Sequence, residues 1–548
     1  MREGLESQAV NHVAIPRAAG PEDALNTAAS TTEQRRVRFA WLTRVSPAQA
    51  TLGLVILALL IRWIHLSARP LWLDEAYSAW FSARGWHYLW AVVPTYEPHP
   101  PFYYSILKAW RAVAGRDAVA LRGLSVLFGA VTVPVMMAAS QALERLRPTG
   151  RPRLGAAICG FLAAASPMFV LLDQEARPYA LMILAYGIAT LGLLRLLREF
   201  RDGGSGKWTS WLMLGAGTEL ALWSHGLGLI YAACLAGAMA PAWLVRPLSR
   251  QRLLRGLFVA AAVAFAYAPC LVMMVGRVGE WGTGWLDWRP LMIVQMLALY
   301  TVPFDVLTVT SAIGGVALLL LAKRALQPVL SERAWSADTA LLVLWLGPPL
   351  IAIGVSALGV PVFLLRTLAP ALVPFYLAVA AALARTTDAR ERTLLSAALV
   401  ITLIPTAVQV TMRPPSERWD EVRLFLDRNV RAGDEVWLYP NDSALPLDVA
   451  GPHAYARRSL PREYPATGFK GPIRAGSPAV VSLTHDQAQA IAADPPARRI
   501  RTIWLVTRQS GLFDPQSELP RALAKVRRAG RPQAWDYIVV QPFTPRAD

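Results

Sequence analysis

The sequence predicts a polytopic α-helical membrane protein with a small extracytoplasmic α/β domain at its C-terminal end. Three observations lead there. The 548 residues are 54% hydrophobic, with a mean hydropathy of +0.35, a combination unusual for soluble domains of this length. Eleven apolar segments approach the ~20 residues that a bilayer-spanning helix needs. They lie near 50–67, 118–143, 154–172, 178–198, 209–226, 227–245, 257–275, 309–326, 338–358, 363–384 and 393–412. Finally, every second loop is rich in arginine and lysine, which marks those loops as cytoplasmic.

Residues 1–46 are polar and contain no apolar leader core. They read as a disordered cytoplasmic tail, with the first span as an uncleaved anchor. Arg35, Arg36, Arg38 and Arg44 precede that span. Arg145–Arg153, Arg195–Lys207, Arg246–Arg255, Lys323–Arg333 and Arg385–Arg392 follow the second, fourth, sixth, eighth and tenth. The alternate loops hold Asp74, Glu75, His87, Glu97, His99, Asp173, Glu175, Arg177, Glu280 and Asp287, with Trp72, Trp80, Trp86 and Trp90 as an interfacial aromatic belt. Two shorter apolar stretches, 101–115 and 291–303, read as helices lying in or dipping into the outer interface. Thirteen spans is the alternative count if one of them crosses and the pairing shifts.

Beyond residue 412 the composition changes, and 413–548 reads as a separate domain. Arg413-Pro414-Pro415 ends the last span, because proline cannot continue the helix ladder. Ser416 can cap a helix that places Trp419, Val422, Leu426 and Val430 on one face. Gly433 stops it, and Glu435–Tyr439, 479–483, 502–507 and 535–540 read as strands. Thr484 with Gln487 is a capping box that opens another helix, and 519–528 is helical. Alternating helix and strand make this an α/β unit. The Pro-, Gly- and Arg-rich stretch 442–478 suggests no regular structure.

The net charge of +18 sits in short loops rather than in an aromatic-flanked stripe. It is a topology signal with attraction to anionic lipid, and no nucleic-acid partner is implied. Cys159, Cys234 and Cys270 all fall in apolar segments without a CxxC pair, so neither a disulfide framework nor a zinc site is indicated. No acid or histidine cluster has clear metal spacing, and no cofactor is expected. A divalent ion near Asp74 is compatible with the residues but not indicated.

The chemistry points to the first outer loop, 68–117, which joins the 47–412 transmembrane domain's first two spans. Asp74 and Glu75 sit where the chain emerges from the first span, and a charge in that position usually has a task or a water contact. Their plainer reading is helix capping. A loop this long is usually functional.

Asp74-Glu75, then His99-Pro100-Pro101-Phe102-Tyr103-Tyr104, then Gln174-Glu175-Ala176-Arg177-Pro178-Tyr179, resemble the polytopic bacterial glycosyltransferases related to protein O-mannosyltransferases and to lipid A aminoarabinose and galacturonic acid transferases. His225 and Arg366 fit the same series, which covers roughly 50–412. Many members carry Arg-Tyr at the last site. Thr367 follows Arg366 here, so that tyrosine contact is missing or supplied elsewhere. The resemblance implies the C-type glycosyltransferase fold, a polyprenyl-phosphate-linked sugar donor and a location in the bacterial inner membrane. Polyprenyl phosphate is already a good leaving group, so single-displacement, inverting transfer needs one base and cations for the departing phosphate. By resemblance to the family's first-loop aspartate, Asp74 is the candidate base. Glu75 would orient it or bind sugar, and mutual repulsion would raise one proton affinity of the pair. Arg177 and Arg366 offer forked donors to phosphate. Their plainer readings are an ion pair of Arg177 with Asp173 or Glu175, and snorkelling of Arg366 to the interface. His99, Tyr103, Tyr104, Glu175, Tyr179 and His225 complete the substrate-binding set, against roles as turn or belt residues.

Glu219 is an intramembrane acid, hence a functional candidate, but matches none of these motifs. The competing function is a transporter or flippase of a lipid-linked sugar, which should show internal repeats and midplane polar groups. Neither is evident. The sugar and the envelope acceptor are not identifiable from the sequence.

Overall fold

The computed structural model describes residues 45–97, 99–244, 249–275, 282–283, 289, 291, 294, 309–331, 335–494 and 499–546. The expected tail (but for residues 45 and 46), most of the stretch 291–303, and Glu280, Asp287 and their neighbouring tryptophans lie outside the described residues.

Helices occupy all eleven positions marked by apolar runs. Seven are long and apolar enough to cross a bilayer, among the described residues: Ala118–Leu146, Tyr179–Arg201, Arg250–Val275, Ser311–Ser331, Ala337–Ala357, Leu365–Arg385 and Ala389–Thr411. An eighth forms if Pro152–Ala165 and Pro167–Asp173, bent by 50° at their junction, count as one span. Pro47–Trp63, Trp208–Ser224 and Gly228–Leu244 have 17 residues each. The protein is therefore a multi-pass membrane protein. Leu365–Arg385 and Tyr179–Arg201 are its most enclosed helices, while Arg250–Val275 is largely uncovered by protein and presents its apolar side chains outward.

The bend after Ala165 has a visible cause. Pro167 lacks the N–H that would continue the ladder, so carbonyls of the preceding turn lose partners. Arg62 supplies them: its guanidinium donates to Ala164 O at 2.8 Å and Ala163 O at 3.1 Å, and Nε donates to Asp173 Oδ2 at 2.7 Å. Gly129 permits this close approach, since a Cβ there would lie 2.1 Å from Asp173 Oδ2.

The first loop folds as two short helices, Leu73–Ala83 and Phe102–Ala114. The second has 13 residues, about 20 Å at 1.5 Å per residue, too short to cross ~30 Å of hydrocarbon. It packs on Leu73–Ala83 and on the start of Ala118–Leu146.

The C-terminal region is a six-stranded mixed sheet with flanking helices. Glu435–Tyr439 runs parallel to Ala456–Ser459 and Ile503–Arg508; Ile538–Pro545 runs antiparallel to Ile503–Arg508. Trp419, Val422 and Leu426 are fully buried against it, and the Thr484–Gln487 capping box forms. Four expectations fail. Ser416 does not cap the helix Trp419–Asn429, whose N-cap is Arg418. Residues 479–483 are buried but form no strand: Asn441 and Ala466 N donate to Ala479 O, Ser482 N donates to Pro472 O, and Leu483 N donates to the Tyr439 hydroxyl, so loop backbone and side chains take the place of a ladder. The stretch 535–540 is broken by Asp536 (φ 50°) into a hairpin between Gln533–Trp535 and Ile538–Pro545. Strand Ala456–Ser459 lies inside 442–478, where none was expected.

Candidate active site

Asp74 and Glu75 occupy the first turn of Leu73–Ala83, and the helix period turns them to different surroundings. Glu75 is fully buried. Both its oxygens receive Arg122, Nε at 2.8 Å and Nη2 at 2.6 Å, and Oε1 also accepts Ala176 N at 2.9 Å. Arg122 spends its remaining donors on the carbonyls of Leu66, Arg69 and Pro70. Both Glu75 oxygens are thus engaged within the protein, in surroundings unlike those of Asp74. Glu75 joins the first loop to the second span and to the Gln174–Tyr179 segment.

Asp74 keeps a side chain 21% exposed. Its Oδ2 lies 3.3 Å from Arg366 Nη2 and 3.9 Å from Arg177 Nη2, and Arg177 Nη1 donates to its backbone carbonyl at 3.2 Å. Burial alone would raise the Asp74 carboxyl, but Arg177, Arg366 and His99 outweigh it and hold it below its ordinary value. The raised proton affinity expected of the 74–75 pair falls instead on Glu175. Burial and the negative charges of Glu75 and Asp74 push it up to about 7, and its Oε2 is buried without a hydrogen-bond partner.

Arg177 does not pair with Asp173, because Arg62 takes that carboxylate. It is free to face Asp74. Arg366, at the start of its span, stands 5.5 Å from the Trp72 ring and 5.8 Å from the Tyr179 ring. Thr367 is itself buried, its carbonyl accepting the Tyr231 hydroxyl at 2.7 Å.

The histidines complete the group. The His99 and His225 rings meet edge to face at 4.8 Å, and Tyr179 stands 6.1 Å from His225. His99 Nδ1 is 2.7 Å from Glu97 Oε1, which also accepts the Tyr104 hydroxyl at 3.1 Å. Leu227 N donates to His225 Nδ1, so that nitrogen is unprotonated. Tyr103 and Tyr104 are each 1% exposed. Both belong to the apolar cluster under the loop, and the Tyr103 hydroxyl is buried without a hydrogen-bond partner. No contact joins Glu219 to this group among the described residues.

Several contributors were missed from sequence. Arg62 and Arg122 are arginines inside apolar segments, and the cost of such charges in lipid is a signal that could have singled them out. Glu417, Asp442 and Arg508 carried no such signal. Glu417 Oε2 accepts Leu73 N at 3.0 Å and Trp419 Nε1 at 2.7 Å. Asp442 accepts the Tyr77 hydroxyl at 2.7 Å and a double contact from Arg508 at 3.0 and 3.1 Å. The Tyr464 ring packs 5.3 Å from Tyr77 and 5.2 Å from Trp80. The C-terminal domain thus grips the helix that bears Asp74 at its first turn and one turn on.

An enclosed helical bundle, two short helices after the first apolar helix and a mixed α/β domain seated on them define the C-type glycosyltransferase fold. The chain is similar to ArnT from Cupriavidus metallidurans in the apo state, with a TM-score of 0.60, 13% identity, and 91% of this chain and 98% of that one covered. Against the same protein bound to undecaprenyl phosphate the TM-score is 0.54 at 11% identity, with the same coverage. The mycobacterial arabinofuranosyltransferase AftD (mutant R1389S) gives 0.50 at 14% identity, covering 92% of this chain and 42% of that one. No family model and no curated protein matches the sequence.

Proposed function

We propose that the protein is an inverting membrane glycosyltransferase that moves a sugar from a polyprenyl-phosphate donor to an envelope acceptor on the outer face of the inner membrane. The observation that carries this reading is a partly exposed carboxylate, Asp74, held between two guanidinium groups at one end of the helical bundle. The acceptor hydroxyl gives its proton to Asp74 as its oxygen bonds to the anomeric carbon. The bond from that carbon to the phosphate oxygen breaks, its electron pair stays on that oxygen, and Arg177 and Arg366 stabilise the charge left on polyprenyl phosphate. Before the donor binds, both cations face Asp74 and keep it a weak base. A donor phosphate draws them toward itself, and the carboxylate's proton affinity rises where a base is needed. Glu175 and His225 line the same space as sugar contacts, and His99 is set by Glu97. Undecaprenyl phosphate in the solved ArnT complex is the chemical precedent for the donor's lipid.

The test is turnover by purified protein in detergent, given polyprenyl-phosphate sugars and extracted envelope lipids and glycans. Release of free polyprenyl phosphate with a glycosylated product is the expected result. Movement of intact donor across proteoliposomes, with no bond broken, would establish the flippase instead.

Arg366→Lys keeps the charge but loses the planar fork, and should weaken donor use by roughly tenfold, as expected for one charge-assisted hydrogen bond. Wild-type donor KM in both Arg366→Lys and Arg366→Ala would remove Arg366 from the phosphate site.

The proposed orientation puts the Arg145–Arg153 loop in the cytoplasm and the 413–548 domain outside. The three native cysteines are buried, so introduced thiols report cleanly. Arg153→Cys and Lys470→Cys, both at exposed positions, should label oppositely with an impermeant reagent in spheroplasts. Equal labelling of the two would refute the orientation.

A further inference from the structure

A second cationic site lies at the far end of the helix that carries Asp74. A cavity of about 590 Å³ opens between the C-terminal ends of Leu73–Ala83 and Phe102–Ala114, lined by Ser82, Lys108, Arg111, Val113 and Arg116 among others. No acidic side chain lines it. Neighbouring Asp117 is spent as the N-cap of the next helix, accepting Ala120 N at 2.9 Å.

The three cations are only partly accounted for by the fold. Lys108 Nζ donates to Arg84 O at 2.6 Å, and Arg111 Nη1 donates to Ala79 O at 2.8 Å and to Ser82 Oγ at 3.1 Å. These bonds cap the end of Leu73–Ala83, as basic groups at a helix C-terminus do. They neutralise no charge: among the described residues no ion pair reaches Lys108, Arg111 or Arg116. Arg116 is exposed. Burial, and after it the nearby Arg116, pull the Arg111 guanidinium below its ordinary value.

The surroundings are those of a membrane interface. Val113, on the cavity wall, is 82% exposed, and Trp86, whose ring faces Lys108 at 5.6 Å, is 54% exposed. Both side chains would be costly in open water and suit the headgroup level. The cavity is at the N-terminal end of Ala118–Leu146, the same end of the bundle as Arg122 and the Asp74 group. It is separated from Asp74 by the eight residues to Ser82, about 12 Å of helix.

We infer that this cavity binds the phosphate group of an anionic membrane lipid, at a site separate from the Arg177 and Arg366 pair. Lys108, Arg111 and Arg116 meet the phosphate, Ser82 is the neutral polar group beside it, and Val113 and Trp86 lie along the acyl chains. The inference rests on membrane embedding and on the cavity, not on the transfer reaction, so it can fail or succeed independently of Asp74.

The experiment is a titration of the full-length protein in detergent with phosphatidylglycerol, read by native mass spectrometry. Diacylglycerol serves as the phosphate-free lipid and inorganic phosphate as competitor. Each basic residue near a membrane surface contributes about fivefold to anionic-lipid affinity. Arg116→Gln should therefore weaken phosphatidylglycerol binding about fivefold and Arg116→Glu about 25-fold. Arg116 is exposed and anchors no carbonyl in the structure, so both variants should fold. Arg153→Glu, at the opposite end of Ala118–Leu146, should leave binding unchanged. Wild-type affinity in Arg116→Glu, or an equal loss in Arg153→Glu, would overturn the site. Binding of diacylglycerol as tight as phosphatidylglycerol would remove the phosphate from it. Full displacement by millimolar inorganic phosphate would show a free-phosphate site and overturn the lipid assignment.

Discussion

Asp74→Asn is expected to fold, insert and bind donor at least as well as the wild type, yet turn over about 10²–10⁴-fold more slowly. That factor is the usual contribution of a positioned general base. Asparagine keeps the size of the side chain, and no cap is lost, because Trp72 and not Asp74 is the N-cap of Leu73–Ala83. The substitution also withdraws the charge that Arg177 and Arg366 face in the absence of donor. Those cations are then freer for a donor phosphate, and donor KM should hold or fall while kcat collapses. A variant that lost donor affinity and turnover together would mark Asp74 as a binding residue. Wild-type turnover would end its candidacy as the base.

The second large effect is expected at Glu75, and on folding rather than chemistry. Glu75→Gln removes one member of a buried, doubly bonded ion pair and leaves the Arg122 charge uncompensated beside the membrane. Breaking such a pair costs about 3–5 kcal/mol, a large share of the roughly 5–15 kcal/mol that hold a typical domain folded. The variant should lose monodisperse protein in detergent and melt at a markedly lower temperature. Arg122→Gln should do the same, since each leaves the other's charge alone. A Glu75→Gln protein with a wild-type melting temperature and no turnover would return Glu75 to the reaction.

Much of the framework was legible because it is local. A run of about twenty apolar residues needs no partner to declare a span, and all eleven such runs are helical. The break between the fifth and sixth expected spans falls at His225, where Trp208–Ser224 ends. The Thr484 capping box is likewise a property of four residues. What failed in the C-terminal domain failed for the converse reason. Residues 479–483 have the composition of a strand, but their hydrogen bonds run to loop backbone at Ala466, Pro472 and Ser477, to Asn441 and to the hydroxyl of Tyr439. The Pro- and Gly-rich stretch passed over as irregular carries both strand Ala456–Ser459 and Tyr464, whose ring packs on the first-loop helix.

By itself the sequence determined the class of architecture, and it singled out residues that the fold brings near one another: Asp74, Glu75, His99, Glu175, Arg177, Tyr179, His225 and Arg366. Only the tertiary structure separated their surroundings. Two adjacent carboxylates are indistinguishable in a sequence. In the fold one is buried against Arg122, 47 positions away, and the other looks out between two arginines. Arg177 faces Asp74 because Arg62, 111 positions from Asp173, has taken that aspartate. Leu73 is held by Glu417, 344 positions on. Apolar periodicity and helix capping are written over a few neighbouring residues. The choice of partner for a buried charge depends on which helices pack together, and a single sequence carries no local mark of it.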